Sequence, residues 1–264
     1  MRKSLIALAM ALVATTAMAR DSATEKFDRT LNVRPGTELE VENVNGRITI
    51  SAWDQPRVRI QAVKSVRTRD DRAAQEALRQ LRIEIKQTGD RISVDTIYPK
   101  RDDNFFGLFF GSSINASVQY EINVPRAMNL SVDNVNGAIA VSDVSGKLEL
   151  DTTNGKIQVT RCAGTLDAST TNGSIEAELV QVTAGQSMRF ETTNGRITLA
   201  MPPSVAADIN AGTTNGSIRS DLPLATSRFS RTSLRGSLNG GGPEIRLRTT
   251  NGGIDIKSTG SASR

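Results

Sequence analysis

The chain reads as an all-β protein, a single-domain β-solenoid of short coils with one short helix near its N-terminal end. Three observations predict this. The phrase Thr-Thr-Asn-Gly-x-Ile occurs at Thr152–Ile157, Thr170–Ile175, Thr192–Ile197, Thr213–Ile218 and Thr249–Ile254. Two looser copies, Val44-Asn45-Gly46 and Val135-Asn136-Gly137, lead to Ile48 and Ile139 at the same offset. On both sides of each Asn-Gly, apolar and polar residues alternate with period two, as half-buried strands do. Self-similarity of this kind defines a repeat architecture.

The copies align on their asparagines, Asn45, Asn136, Asn154, Asn172, Asn194, Asn215 and Asn251. Three residues on stand Ile48, Ile139, Ile157, Ile175, Ile197, Ile218 and Ile254, the predicted structural core. Four residues back stand Val41, Val132, Leu150, Ala168, Phe190, Ala211 and Leu247, and six back Leu39, Leu130, Leu148, Leu166, Met188, Ile209 and Ile245. Between these columns lie polar residues such as Glu40, Glu149, Asp167, Arg189 and Arg246. From Asn136 on, with a worn copy at Arg235-Gly236 and Leu238 in the isoleucine's place, the steps are 18, 18, 22, 21, 20 and 16 residues. That sets coils of 16–22 residues.

A lone Asn-Gly between strands marks a hairpin, because both residues tolerate positive φ. Recurring at this spacing, it fits a corner of a coil, with Gly taking the left-handed geometry that other residues resist. Stacked coils would pile isoleucine on isoleucine and pair the asparagines amide to amide. An up-and-down meander is the competing arrangement; the uniform isoleucine favours the solenoid.

Residues 1–19 read as a secretory signal peptide. Arg2 and Lys3 form the basic start, Leu5–Met18 the apolar run, and Ala17-Met18-Ala19 the cleavage site, with cleavage after Ala19. The apolar run is too short to span a bilayer, so the mature chain carries no expected transmembrane segment. No cysteine follows the cleavage site to take a lipid anchor, and the expected location is periplasmic or extracellular. The predicted organisation is a signal peptide 1–19, a solenoid domain 20–256 and a flexible tail 257–264. Within the domain, 20–125 is irregular and 126–256 forms regular coils.

The lone cysteine, Cys162, has no disulfide partner in the sequence and reads as a small corner residue. The chain contains no histidine, which removes His-dependent triads and the commonest zinc ligand. Its net charge of +5 falls to +3 without Arg2 and Lys3, too mild for a nucleic-acid partner.

In the N-terminal part, Pro35-Gly36 makes a turn before the first copy, and Val58, Ile60, Ala62 and Val66 alternate with basic residues as a strand. Residues 70–82 are the one helix candidate. Asp70 or Asp71 caps it, Ala73, Ala74, Ala77, Leu78 and Leu81 form its apolar stripe, and it is expected to pack near the N-terminal end of the solenoid. Two strands around Thr88-Gly89-Asp90 read either as a hairpin or as irregular coils. Phe105, Phe106, Leu108, Phe109 and Phe110 make an apolar cluster that either plugs the N-terminal sheet or forms a partner-binding loop.

The column three residues before each asparagine holds the candidates for chemistry: Glu42, Asp133, Asp151, Ser169, Glu191, Gly212 and Arg248. One coil apart, Asp133 and Asp151 would lie about 5 Å from each other, close enough to hold a cation or act on a sugar. The column has no aromatic platform and its acidity fades after Glu191, so a solvated face is the reading. No catalytic residue, cofactor or metal site is predicted.

The strand Tyr120-Glu121-Ile122-Asn123-Val124-Pro125-Arg126, then Leu130-Ser131-Val132-Asp133-Asn134-Val135-Asn136-Gly137, then serial Asn-Gly-x-Ile coils, resembles the bacterial putative-adhesin domain family of unknown function. The resemblance spans most of the mature chain, most closely 117–256. It implies a secreted or envelope-exposed β-solenoid without known catalytic residues. The expected function is a non-enzymatic adhesin-like binding or scaffold protein, its partner an envelope protein or a glycan. The alternatives are a carbohydrate-active β-helix enzyme and a periplasmic envelope-stress accessory protein.

Overall fold

The computed structural model describes residues 22–68, 70–99, 115–183 and 185–259. The predicted signal peptide with its Ala19 cleavage site, and the cluster Phe105, Phe106, Leu108, Phe109 and Phe110, lie outside them.

Each Asn-Gly copy contributes a strand on either side of its corner, and the copies stack in parallel. Strands leading into the corners form a first layer. They are β2 (Glu38–Asn45), β8 (Asn129–Asn136), β10 (Ser145–Asn154), the second half of β11 (Ile157–Asn172), β13 (Met188–Asn194), β15 (Ala207–Asn215) and β19 (Glu244–Asn251). Strands leaving the corners form a second layer: β3 (Ile48–Trp53), β9 (Ile139–Ser142), the first half of β11, β12 (Ile175–Val182), β14 (Ile197–Met201), β16 (Ile218–Ser220) and β20 (Ile254–Ser258). Because β11 runs from one layer into the other, both belong to one curled sheet, 20-stranded among the described residues. The second corner of the winding is made by Asp143 and Arg161, at φ 61 and 51, which also form a bidentate ion pair.

Register is strict. Leu148 pairs with Leu130 and Leu166, and Ile157 with Ile139 and Ile175, so like stacks on like. All seven isoleucines of the repeat are buried, as are the two apolar columns of the first layer. Phe190 fits among them beside Ala168, a large side chain against a small one, which keeps the interior filled without strain.

The corners are held twice over. On the outside, Asn136, Asn154 and Asn172 each donate from Nδ2 to Oδ1 of the preceding asparagine, at 2.9, 2.9 and 2.8 Å. On the inside, buried Thr152, Thr170 and Thr192 donate from Oγ1 to a glycine carbonyl of the copy below, at 3.2, 3.1 and 2.9 Å. This accounts for the first threonine of the motif, whose side chain supplies an internal donor where Asn134 does so with its amide.

The role of glycine differs from the expected one. Gly155, Gly173, Gly195, Gly216 and Gly252 are absent from the positive-φ residues of the chain, so no left-handed geometry is needed there. A Cβ on Gly173 would instead meet the carbonyl oxygen of Gly155 at 1.9 Å. At these five copies close approach of stacked backbones selects glycine, not backbone conformation, whereas Gly46, at φ +128, meets both demands.

The order of the last copies also departs from the sequence. Asn251 donates to Asn194, and Asn215 to Asn251, each at 2.8 Å. Strand β19 therefore lies between β13 and β15, and β20 between β14 and β16. The worn copy at Arg235-Gly236 is no coil. It lies in β18 (Ser233–Leu238), antiparallel to β15 and paired on its other side with β17 (Ala225–Phe229), although Leu238 is buried as the isoleucines are. The reversal ends the layer, because an antiparallel hairpin does not present another parallel rung. Strand β20 continues through Lys257 and Ser258, which pair with Ala200 and Met201, so part of the expected tail is strand.

At the other end one more strand pairs in parallel with each layer, and the strands beyond it are antiparallel. A hairpin, β5 (Arg82–Thr88) and β6 (Arg91–Ile97), turns at Gly89 with φ +59 and lies beside β2. In the second layer β1 (Ser22–Asn32), β4 (Arg57–Arg67) and β7 (Asn115–Pro125) join on to β3. Helix α1 (Asp71–Gln80) begins at Asp70, whose side chain accepts from the Arg72 amide, and packs Ala74, Ala77 and Leu78 against β1 and β4. Its C-terminal end is held by the buried Lys64, whose Nζ donates to the Leu81 carbonyl at 3.1 Å and pairs with Glu25 at 2.8 Å.

Candidate functional site

Outward-facing residues of the first layer form two columns, because period-two alternation on every strand meets strict register between strands. In one column Asp95, Glu42, Asp133 and Asp151 are successive partners, followed by Ser169, Glu191, Arg248 and Gly212. In the other, Glu40, Ser131, Glu149 and Asp167 give way to Arg189, Arg246, Asn210 and Arg235. The face is thus acidic toward β2 and arginine-rich toward β18.

The acidic half is crowded. Burial and the neighbouring Asp95 raise the Glu42 carboxyl above its usual range, and burial with Asp133 does the same to Asp151. Burial raises Asp133, with Glu149 adding to it, and burial outweighs the nearby Arg189 at Asp167. In the basic half, burial and then Arg246 and Arg235 lower the Arg248 guanidinium. Arg248 is held in place by Asn210, donating to its carbonyl at 2.9 Å and to its Oδ1 at 2.8 Å. Contacts between the halves are loose, with Arg189 Nε at 4.0 Å from Asp167 and 3.9 Å from Glu191.

Where the halves meet there is a shallow recess of ≈ 280 Å³, lined by Ser131, Glu149, Asp151, Asp167, Ser169, Arg189 and Glu191. Asp133 and Asp151, the acidic pair of the sequence, do sit on adjacent strands. The signal missed was the second column, in which Glu149 and Asp167 face the arginines. The side chains of Asn45, Asn136, Asn154, Asn172, Asn194, Asn215 and Asn251 form an amide ladder along one edge of this face. Cys162 is buried in β11, and burial pushes its thiol up. Among the described residues, no three His, Cys, Asp or Glu side chains are grouped so as to hold a metal ion, and no helix is long and apolar enough to cross a membrane.

Two solved structures are similar in outline. One is a putative cell adhesion protein from Clostridium sporogenes, 11% identical, covering 90% of this chain and 100% of that one, with a TM-score of 0.46. The other is a putative adhesin from Bacteroides fragilis, 11% identical, covering 89% and 97%, with a TM-score of 0.39. Comparison with curated proteins finds no match. The family model described as Toastrack DUF4097 matches residues 39–257, a span that takes in every Asn-Gly copy from Asn45 to Asn251 and the strands that carry the resemblance. The chain belongs to the Toastrack DUF4097 family.

Proposed function

We propose that the protein is a non-enzymatic β-solenoid of the cell envelope or the secreted fraction, and that it binds a partner protein or glycan through the outer face of its first layer. The observation that carries this reading is the division of that face into an acidic and an arginine-rich half. A purely solvated face needs mixed charge for solubility but no segregation, whereas segregated charge steers and orients a partner. The doubly bonded corners hold the columns rigid, so little ordering is needed on association. Export follows from the expected signal peptide at 1–19, with the mature chain starting near Arg20.

Photo-crosslinking in the native cell tests the surface. A crosslinking residue in place of Asp151 or Arg246 should capture a partner, and one in place of Gln158, on the outer face of the second layer, should not. Equal capture from both faces, or none from Asp151 and Arg246, would refute the assignment. N-terminal sequencing of the exported protein should begin at Arg20.

A further inference from the structure

We infer that the first-layer face pairs with the same face of a second copy of this chain, in an antiparallel two-fold dimer held by charge. The inference rests on the reading of that face as the binding surface and names its partner.

The argument is one of register. Turn a second copy about an axis lying in the face, parallel to the strands and midway between β11 and β13. Strand order then reverses, so that β11 meets β13 of the partner copy and β10 meets β19, while positions along the strands are kept. Asp167 comes opposite Arg189, Glu149 opposite Arg246, and Asp151 opposite Arg248, and the symmetry makes each pair twice. Glu191 meets Ser169, so no acid faces an acid there. Moving the axis one half-step, onto β11, would place Asp151 against Glu191, so the charges select one register over its neighbour.

Within a single chain Glu149 is paired with Lys147, and the arginines are the groups left with loose contacts. Arg189 reaches carboxylates only at 3.9–4.0 Å and Arg246 reaches Glu244 at 3.7 Å. Among the described residues neither Asp151 nor Arg248 makes an ion pair with a countercharge, although Arg248 is hydrogen-bonded to Asn210, and burial raises the first group and lowers the second. A dimer supplies those countercharges, and an isologous contact closes on itself instead of polymerising. Association of this kind is sensitive to salt, since screening acts on exposed charge.

Sedimentation velocity on the purified chain reads the outcome. The wild type should be dimeric at about 20 mM salt, with a dissociation constant at least about tenfold weaker at about 300 mM. R246E/R248E sets acid against acid at the β10–β19 pairs, and E149R/D151R sets arginine against arginine there. Each alone should be monomeric, and an equimolar mixture should form the heterodimer. The swapped variant E149R/D151R/R246E/R248E should dimerise again, which guards against loss of folding as the cause. A monomer at every salt concentration, or a dimer indifferent to R246E/R248E, overturns the pairing. If the purified chain is monomeric while Asp151 still crosslinks to another envelope component in cells, self-pairing fails and the surface assignment stands. If the face captures nothing at all, both fall.

Discussion

At the scale of single residues, the motif divides its labour among positions only a few atoms apart. The glycine makes room for the backbone of the next copy, so Gly173→Ala should destabilise the protein by about 3 kcal/mol, seen as a lowered denaturation midpoint. Thr171→Ala, on an exposed position two residues earlier, should leave that midpoint unchanged. The buried isoleucine carries packing. Ile175→Ala should cost about 2–5 kcal/mol and Thr198→Ala next to nothing in a thermal melt, and equal losses would contradict the inward and outward assignment. The crowded acids give a pH signature. The Asp151 carboxyl is raised above its ordinary 3.8 by burial and by Asp133, so the folded chain holds that proton more tightly than the unfolded one. Stability from this group is therefore present at low pH and lost as pH rises through its raised value. At a protein concentration low enough to keep the chain monomeric, Asp151→Asn should raise Tm at pH 7, and the gain should shrink as the pH is lowered to about 4.

Among elements, the least repetitive one depends on the most unusual contact. Lys64 is buried with its ammonium on the last carbonyl of α1 and on Glu25, where a cation also suits the negative end of the helix. Lys64→Met keeps the stem and removes the donor, leaving the Leu81 carbonyl unpaired. The expected loss is about 1–3 kcal/mol, with faster amide exchange over residues 74–81 than over the corners. The helix itself was legible from Asp70 and the alanine–leucine stripe, because capping and amphipathicity are local properties. Its anchor was not, since Lys64 in sequence is one more polar residue on an alternating strand. The hairpin β5–β6 was likewise open to two readings, as both arrangements use the same alternation.

For the whole molecule, the interleaving of the last copies makes a prediction unlike that of a simple stack. Truncation of a sequential solenoid from its C-terminus removes the outermost coil and little else. Here residues 244–258 fill the place between β13–β14 and β15–β16. Deleting them should strip amide protection from β15 and β18 as well, and a fragment that keeps that protection would contradict the order. The same interleaving brings Arg246 beside Arg189 and Arg248 beside Glu191, and so builds the basic half of the outer face. In sequence order those arginines belong to the final coil, at a remove from Glu191, and the column merely loses its acidity.

The sequence by itself determined the two strands per copy, the inward isoleucines and the corners, because strand periodicity and turn chemistry act over a few residues and repeat in every copy. Tertiary structure alone decided which copy stacks on which. Near-identical Thr-Thr-Asn-Gly rungs offer one another almost interchangeable hydrogen bonds, so their order depends on the connections between them and on how the ends are closed. Charge on the outer face inherits that order, and the candidate site was hidden for the same reason.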